Sequence, residues 1–158
     1  MDFLLGPYHL DIQVEKTQEY YRQFDYSNFS CGCAGCNNFD LVHSELPDDI
    51  NAFLTQFGVD PAKPPEISAI YTVDSKELPY QGCYYICGKI LSGKDPYVRI
   101  SEKARRLNEE YQIRLSHDFS FYFEEDLILD KDFPKPIIRL NFTGTLPWVL
   151  DEPNPYLV

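Results

Sequence analysis

Three cysteines lie within six residues in the first quarter of the chain, in the segment Cys31-Gly-Cys33-Ala-Gly-Cys36. The small residues between them let the backbone turn tightly around whatever the sulfur atoms share. Thiolates are soft ligands that suit zinc, which takes four ligands in a tetrahedron. The cluster therefore predicts a metal site with zinc as the candidate ion, but it supplies only three of the four ligands.

The sequence offers several candidates for the fourth ligand. His43 would lie two turns beyond Cys36 on a helix that begins just after that cysteine. Cys83 or Cys87 can serve instead, but not both, because on an extended strand they lie roughly 13 Å apart. A water molecule at the open position would give the arrangement of a catalytic zinc site. The predicted ligand set is Cys31, Cys33, Cys36 and His43.

The same thiols allow two other interpretations. A disulfide between Cys31 and Cys33 would be small and strained, hence easily reduced, and Cys36 at a helix start would act as the resolving thiol. The surrounding sequence lacks the βαβ pattern of thioredoxin-like proteins, which weakens this redox hypothesis. Alternatively, the three thiols only pack in a tight turn, which is a common role of cysteine. Cys83 and Cys87 are expected to be core residues of an apolar strand.

The C-terminal segment 146–156 combines the only tryptophan of the chain with three prolines. The interpretation we favour is that Trp148 anchors this tail onto the domain while the prolines stiffen it. If Trp148 and Tyr156 are exposed instead, they would form a binding hot spot for a protein partner.

Hydrophobic periodicity predicts the elements that must position these residues. The clearest strand covers 8–15, and the clearest helix covers 48–57, with Asp48 and Asp49 at its start and Gly58 after its end. Further strands are predicted over 67–73, 82–91, 96–100, 113–115, 119–124 and 136–145, with a turn over 78–82, and further helices over 15–25, after Cys36 as far as Pro47, and over 101–110. Because helices gather in the first half without βαβ alternation, the pattern predicts a single α+β domain over 1–158. We expect a mainly antiparallel β-sheet packed by a few helices.

The composition restricts the classes of partner. With 14 basic and 25 acidic residues the net charge is -11, so nucleic acid is disfavoured and a basic protein partner is favoured. No apolar run approaches the roughly 20 residues that span a bilayer, which predicts no membrane partner. An odd number of cysteines and a start without a signal sequence predict a reducing, cytoplasmic location.

Two segments together resemble the signature segments of an uncharacterised bacterial protein family. They are Phe29–Phe39, which carries a CxCxxCxNF motif, and Leu146–Pro153, which reads LPWVLDEP. The resemblance covers most of the chain. It implies a bacterial, cytoplasmic protein of one domain and carries no established activity.

The sequence contains no recognisable combination of acid, base and nucleophile, which favours a non-enzymatic binding or regulatory protein inside the cell. The first alternative is a small thiol-dependent redox protein or enzyme that uses Cys31 and Cys33. The second is an acidic inhibitor or immunity-type protein that neutralises a basic toxin or nuclease.

Overall fold

The long strand β4 lies at the centre of a seven-stranded antiparallel sheet. The protein is represented by a computed structural model that describes residues 1–26, 30–125 and 132–158. The strands within these ranges are β1 Asp2–Leu5, β2 Tyr8–Ile12, β3 Glu66–Ala69, β4 Glu77–Ser92, β5 Tyr97–Arg99, β6 Arg105–Leu107, β7 Ile113–Arg114, β8 Ser120–Glu125 and β9 Ile137–Pro147.

The sheet is built on the two edges of β4. One edge pairs with β9, which continues to β8 and β7. The other edge is shared by β3 along its first half and by β2 along its second half, with β1 outside β2. Strands β5 and β6 form a separate hairpin.

The α-helices precede β3 in the chain and pack on the sheet. They are α1 Val14–Gln23, α2 Ala34–Val42 and α3 Asp48–Thr55. A 3-10 turn at His43–Glu45 lies between α2 and α3, and another lies at Glu109–Tyr111. The ring of Phe39 in α2 lies 5.8 Å from that of Tyr80, and the ring of Phe53 in α3 lies 4.7 Å from that of Phe121. These contacts belong to one continuous hydrophobic core. The predicted α+β class, with an antiparallel sheet packed by N-terminal helices, is confirmed.

Helix α3 has the start that its sequence predicts. Asp48 and Asp49 occupy the first turn, where the helix dipole favours negative charge, and the side chain of Asp49 accepts a hydrogen bond from the Ile50 amide. The predicted end at residue 57 is two residues too far. Gly58 follows with φ +88°, a left-handed conformation that favours glycine.

The turn predicted over 78–82 is wrong, because these residues form the first half of β4. Leu78 and Tyr80 are buried, and the strand pairs with β9 from Glu77 onward. The proline at position 79 is tolerated because its carbonyl still accepts a hydrogen bond from the amide of Ile70. Packing of alternate side chains therefore outweighs the local turn signals.

The helix predicted over 101–110 is also wrong. Residues 105–107 form β6, which pairs with β5, and Ile100 and Ser101 donate backbone hydrogen bonds to the carbonyl of Ala104 to close the hairpin. The segment 101–106 is exposed, so it has no apolar stripe that would hold a helix against the core. Stacking of the Arg105 guanidinium over the Tyr97 ring, 3.9 Å from its centroid, stabilises the hairpin instead.

The strand predicted over 67–73 ends at Ala69, and the residues beyond it hold the C-terminal tail. Thr72 donates its backbone amide to the carbonyl of Tyr156 at 2.9 Å, and the amide of Val158 donates to the carbonyl of Thr72 at 2.9 Å. The tail therefore lies beside the start of β4. Within the described ranges, no helix is long and apolar enough to cross a membrane.

Candidate metal centre

The first turn of α2 positions the cysteine cluster. The helix begins at Ala34, three residues earlier than predicted, so that Cys33 is the N-cap residue and Cys36 the third helical residue. Side chains at these two positions face each other across the first helical turn. Gly32, with φ +71°, is left-handed and turns the chain so that Cys31 also reaches the helix start.

The three sulfur atoms form one compact group. Every pair of Sγ atoms lies within 4.8 Å, and the Cys31 and Cys36 sulfurs are 3.4 Å apart. The Cys33 amide donates to the sulfur of Cys31 at 3.3 Å. Cys31 and Cys33 are exposed, whereas Cys36 is buried. The structure therefore brings together the three predicted thiols, with one side of the group open to solvent.

Hydrogen bonds and burial give the thiols of Cys33 and Cys36 different pKa values. Desolvation alone would raise the pKa of Cys33, but hydrogen bonds from the Cys31 thiol, the Cys36 amide and the Tyr156 hydroxyl lower it to about 7. Burial, together with the neighbouring thiols, raises the pKa of Cys36 to about 12. At neutral pH the cluster therefore carries an exposed, partly ionised Cys33 beside a protonated Cys36.

Tyr156 brings the C-terminal tail to the cysteine cluster. Its hydroxyl accepts a hydrogen bond from the Gly35 amide at 3.2 Å and lowers the pKa of the neighbouring Cys33 thiol. Only glycine fits at position 35, because a Cβ there would lie 2.9 Å from the Cβ of Ala69 and 3.0 Å from the Tyr156 oxygen. The sequence did not predict that Tyr156 lies beside the cysteines, since 120 residues separate it from Cys36 and a tyrosine is not a usual zinc ligand.

Asn38 joins the two segments on which the family resemblance is based. This fully buried side chain donates to the Pro147 carbonyl at 3.0 Å and accepts from the Val149 amide at 2.8 Å. It also donates to the hydroxyl of Tyr80, which in turn donates to the Gly35 carbonyl at 2.8 Å. The asparagine of the CxCxxCxNF motif thus binds the backbone of the LPWVLDEP segment. Phe29, which begins the first segment, lies outside the described residues.

The other predicted ligands lie elsewhere. His43 is at the far end of α2, about 10 Å along the helix from Cys36, with its ring 5.9 Å from that of Phe39. Cys83 and Cys87 are buried in β4, where the Cys83 thiol donates to Glu66 at 2.8 Å. Among the described residues, the thiol group of the cluster includes none of these three side chains. Two helical turns, about 10 Å, separate His43 from Cys36 wherever the helix begins, which is too far for both side chains to bind one ion.

Trp148 and Tyr156 are half-buried and pack against the core. The indole nitrogen of Trp148 donates to the carbonyl of Glu152 at 2.9 Å, and its amide donates to the carbonyl of Lys76 at 2.8 Å. These contacts match the anchoring interpretation of the tail. Binding of a protein partner through these two residues stays a prediction.

Tyr26 is a further tyrosine beside the cluster. Its hydroxyl oxygen is buried and has no hydrogen-bond partner within the described part of the chain. Burial, reinforced by the nearby Cys36, Asp40 and Cys31, raises the pKa of Tyr26. The phenol is therefore neutral at physiological pH.

A second polar cluster, which sequence analysis missed, crosses the sheet at β3, β4, β9 and β8. Arg139 forms an ion pair with Glu66 at 2.7 Å, and its Nε donates to Asn141 at 2.9 Å. The side-chain amide of Asn141 donates to the carboxylate of Glu124 at 2.8 Å. Glu66, Arg139 and Asn141 line an open cleft of about 360 Å³. The single guanidinium lies between the two carboxylates of Glu66 and Glu124 and balances one of their charges.

No protein-family model matches this chain, and comparisons with curated proteins and with solved structures find no significant match.

Proposed function

We propose that this protein binds a zinc ion through Cys31, Cys33 and Cys36 and acts as a non-enzymatic, metal-linked binding or regulatory protein. The observation that carries the proposal is the approach of three thiol sulfurs to within 4.8 Å of one another. In a tetrahedral site with zinc–sulfur bonds of about 2.3 Å, two sulfurs lie about 3.8 Å apart. The cluster therefore needs only small side-chain adjustments to hold the ion.

The electrostatic setting supports the same proposal. The sulfurs lie at the N-terminus of α2, where backbone amides and the helix dipole favour negative charge. Cys33, with a pKa of about 7, offers a thiolate at neutral pH. Zinc would displace the protons of the other two thiols, as it does in other thiolate sites.

The regulatory part of the proposal rests on what the cluster contacts. The Gly35 amide donates a hydrogen bond to the Tyr156 hydroxyl, which also lies beside Cys33, so zinc binding would act on the docking of the C-terminal tail. A reducing, cytoplasmic location belongs to this proposal, because zinc–thiolate sites need reduced cysteines. The predicted basic protein partner would then bind in a metal-dependent way.

Competition with a chromophoric chelator tests the zinc affinity directly. We expect the wild-type chain to hold one zinc ion and each of the changes Cys31→Ser, Cys33→Ser and Cys36→Ser to weaken binding by at least about 100-fold. Cys87→Ala is the matched control, because it removes a thiol that lies outside the cluster. Equal affinity in the control and the three cluster variants would disprove the proposal.

A second candidate function is thiol–disulfide exchange, which the 3.4 Å separation of the Cys31 and Cys36 sulfurs favours. The exposed Cys33 thiolate would attack a partner disulfide, form a mixed disulfide and release one partner thiolate. A second thiol of the cluster would attack the Cys33 sulfur, close an internal disulfide, and release the other partner thiolate. The predicted redox protein uses Cys31 and Cys33 with Cys36 as the resolving thiol, and the proximity of all three sulfurs supports this alternative.

Peptide mapping of the metal-free protein after mild oxidation tests this second function. Exchange chemistry predicts a defined internal disulfide within the cluster that dithiothreitol reduces completely. If oxidation yields only intermolecular disulfides, while Cys33→Ser does not change the rate of exchange with a model disulfide, the redox function fails.

A further inference from the structure

The proposed zinc site needs a fourth ligand, and three thiols do not provide it. Within the described residues, His43, Cys83 and Cys87 all lie outside the thiol group. A structural zinc site is nevertheless four-coordinate in almost every case. A side chain close to the sulfurs is therefore the candidate for the missing ligand.

We propose that the phenolic oxygen of Tyr156 is the fourth zinc ligand and completes a site of three sulfurs and one oxygen. This inference rests on the proposed zinc-binding function. The oxygen accepts a hydrogen bond at 3.2 Å from the amide of Gly35, which lies between Cys33 and Cys36 in the chain, and it is close enough to Cys33 to lower the pKa of that thiol. It therefore lies against the cluster and faces the same helix start.

The contact distances suit this role. With a zinc–sulfur bond of about 2.3 Å and a zinc–oxygen bond of about 2.0 Å, a tetrahedral site places sulfur and oxygen about 3.5 Å apart. The phenolic oxygen lies 3.2 Å from the nitrogen of Gly35, which is next to Cys36 and two residues from Cys33 in the first turn of α2. An ion held by the sulfurs at this helix start would therefore lie within reach of the oxygen.

The backbone of the tail holds the oxygen in place before any ion binds. The Tyr156 amide donates to the Asn154 side chain at 2.9 Å, and the Tyr156 carbonyl accepts from the Thr72 amide at 2.9 Å. The absence of a side chain at Gly35 lets the phenol approach the first turn of α2. A ligand that is already ordered loses less entropy on binding, which strengthens the site.

The charge and proton balance is that of a familiar zinc site. Binding releases the phenolic proton and the remaining thiol protons to solvent, and no group changes its oxidation state. Zinc with three thiolates and one phenolate carries a formal charge of -2, the same as zinc with four thiolates. The Gly35 and Cys36 amides belong to the first turn of α2, where the helix dipole favours this negative charge.

Ultraviolet difference spectroscopy during a zinc titration of the wild-type chain tests the inference. Coordination by Tyr156 predicts the absorption band of one ionised tyrosine, which saturates at one zinc per chain. The band should be absent in Tyr156→Phe and present in Tyr71→Phe. Tyr71 is a matched control, because its ring lies 6.2 Å from that of Tyr156 and its side chain is largely exposed.

Chelator competition on the same variants separates this inference from the function on which it rests. Tyr156→Phe should weaken zinc binding by at least about 10-fold, while Tyr71→Phe should leave it unchanged. One zinc per wild-type chain without the tyrosinate band would overturn the Tyr156 ligand and leave the zinc function standing. A wild-type chain that binds no zinc would overturn both. Because the band is measured on the wild-type chain, poor folding of Tyr156→Phe does not affect this test.

Discussion

The side-chain amide of Asn38 donates a hydrogen bond to the carbonyl of Pro147 at 3.0 Å, although 109 residues separate the two in the sequence. This bond fixes the helix that carries the cysteine cluster to the end of β9. The tail that follows then reaches back to the cluster through Tyr156. The beginning and the end of the chain thus build one site.

Asn38→Ala should lower the free energy of unfolding by about 2–4 kcal/mol. The change removes a partner from the buried Tyr80 hydroxyl and from the partly buried Val149 amide and Pro147 carbonyl, and a buried polar group left unpaired costs about 1–3 kcal/mol. Urea unfolding measures the loss. Asn37→Ala is the control, because Asn37 is exposed and makes only a 3.4 Å contact with Gly32. Equal losses in the two variants would contradict the role of Asn38.

Gly35→Ala should destabilise the fold by about 1–3 kcal/mol and weaken zinc binding. The new Cβ would lie 2.9 Å from Ala69 and 3.0 Å from the Tyr156 oxygen, so that the phenol must move away. Gly32→Ala is the comparison, since it introduces left-handed strain but meets nothing within 4 Å. Thermal unfolding and chelator competition measure both effects. Wild-type zinc affinity in Gly35→Ala would show that zinc binding does not require the close approach of Tyr156 to Gly35.

The alkylation rate of Cys33 in the metal-free protein should rise with pH around a midpoint near 7. The reactive species is the thiolate, so the rate falls below this pH as the sulfur is protonated, whereas an ordinary cysteine has its midpoint near about 8.5. Tyr156→Phe should move the midpoint upward, because it removes a hydrogen bond that stabilises the thiolate. Iodoacetamide labelling followed by mass spectrometry resolves Cys33 from Cys36, whose raised pKa keeps it unreactive. A midpoint at or above 8.5 would refute this account of the cluster.

Tyr26→Phe should leave stability unchanged or raise it by up to about 1 kcal/mol. The change removes a buried hydroxyl that has no partner in the described residues and keeps the ring. Thermal unfolding in the absence of metal provides the measurement. A loss of more than about 1 kcal/mol would mean that the hydroxyl is paired, and a loss of zinc affinity would make Tyr26 part of the site.

Local sequence patterns predict the fold class correctly. They fail for segments whose secondary structure is determined by packing and pairing with distant residues. The apolar spacing of Ile50, Phe53 and Leu54 placed α3, because the same spacing also fills the core. Pro79 gave a turn signal inside β4, where pairing with β9 outweighs it. The charged segment 101–106 is typical of an exposed helix, but nothing in it distinguishes that helix from the hairpin that forms.

The candidate site was predictable only in part. The spacing of Cys31, Cys33 and Cys36 was sufficient to predict a cluster, because residues so close in sequence stay close in space. The contact of Tyr156 with Gly35 depends on how β9 and the tail return to α2, which no local pattern encodes. A glycine directly before Cys36 was the one available signal, since it allows close approach of another side chain.

Elemental analysis of the reduced protein, purified without chelator, tests the zinc proposal most directly. The account predicts about one zinc per wild-type chain, retained in Cys87→Ala and lost in Cys36→Ser, with the three cluster thiols protected from Ellman's reagent until zinc is removed. A wild-type chain with far less than one zinc and three freely reactive cluster thiols would contradict it.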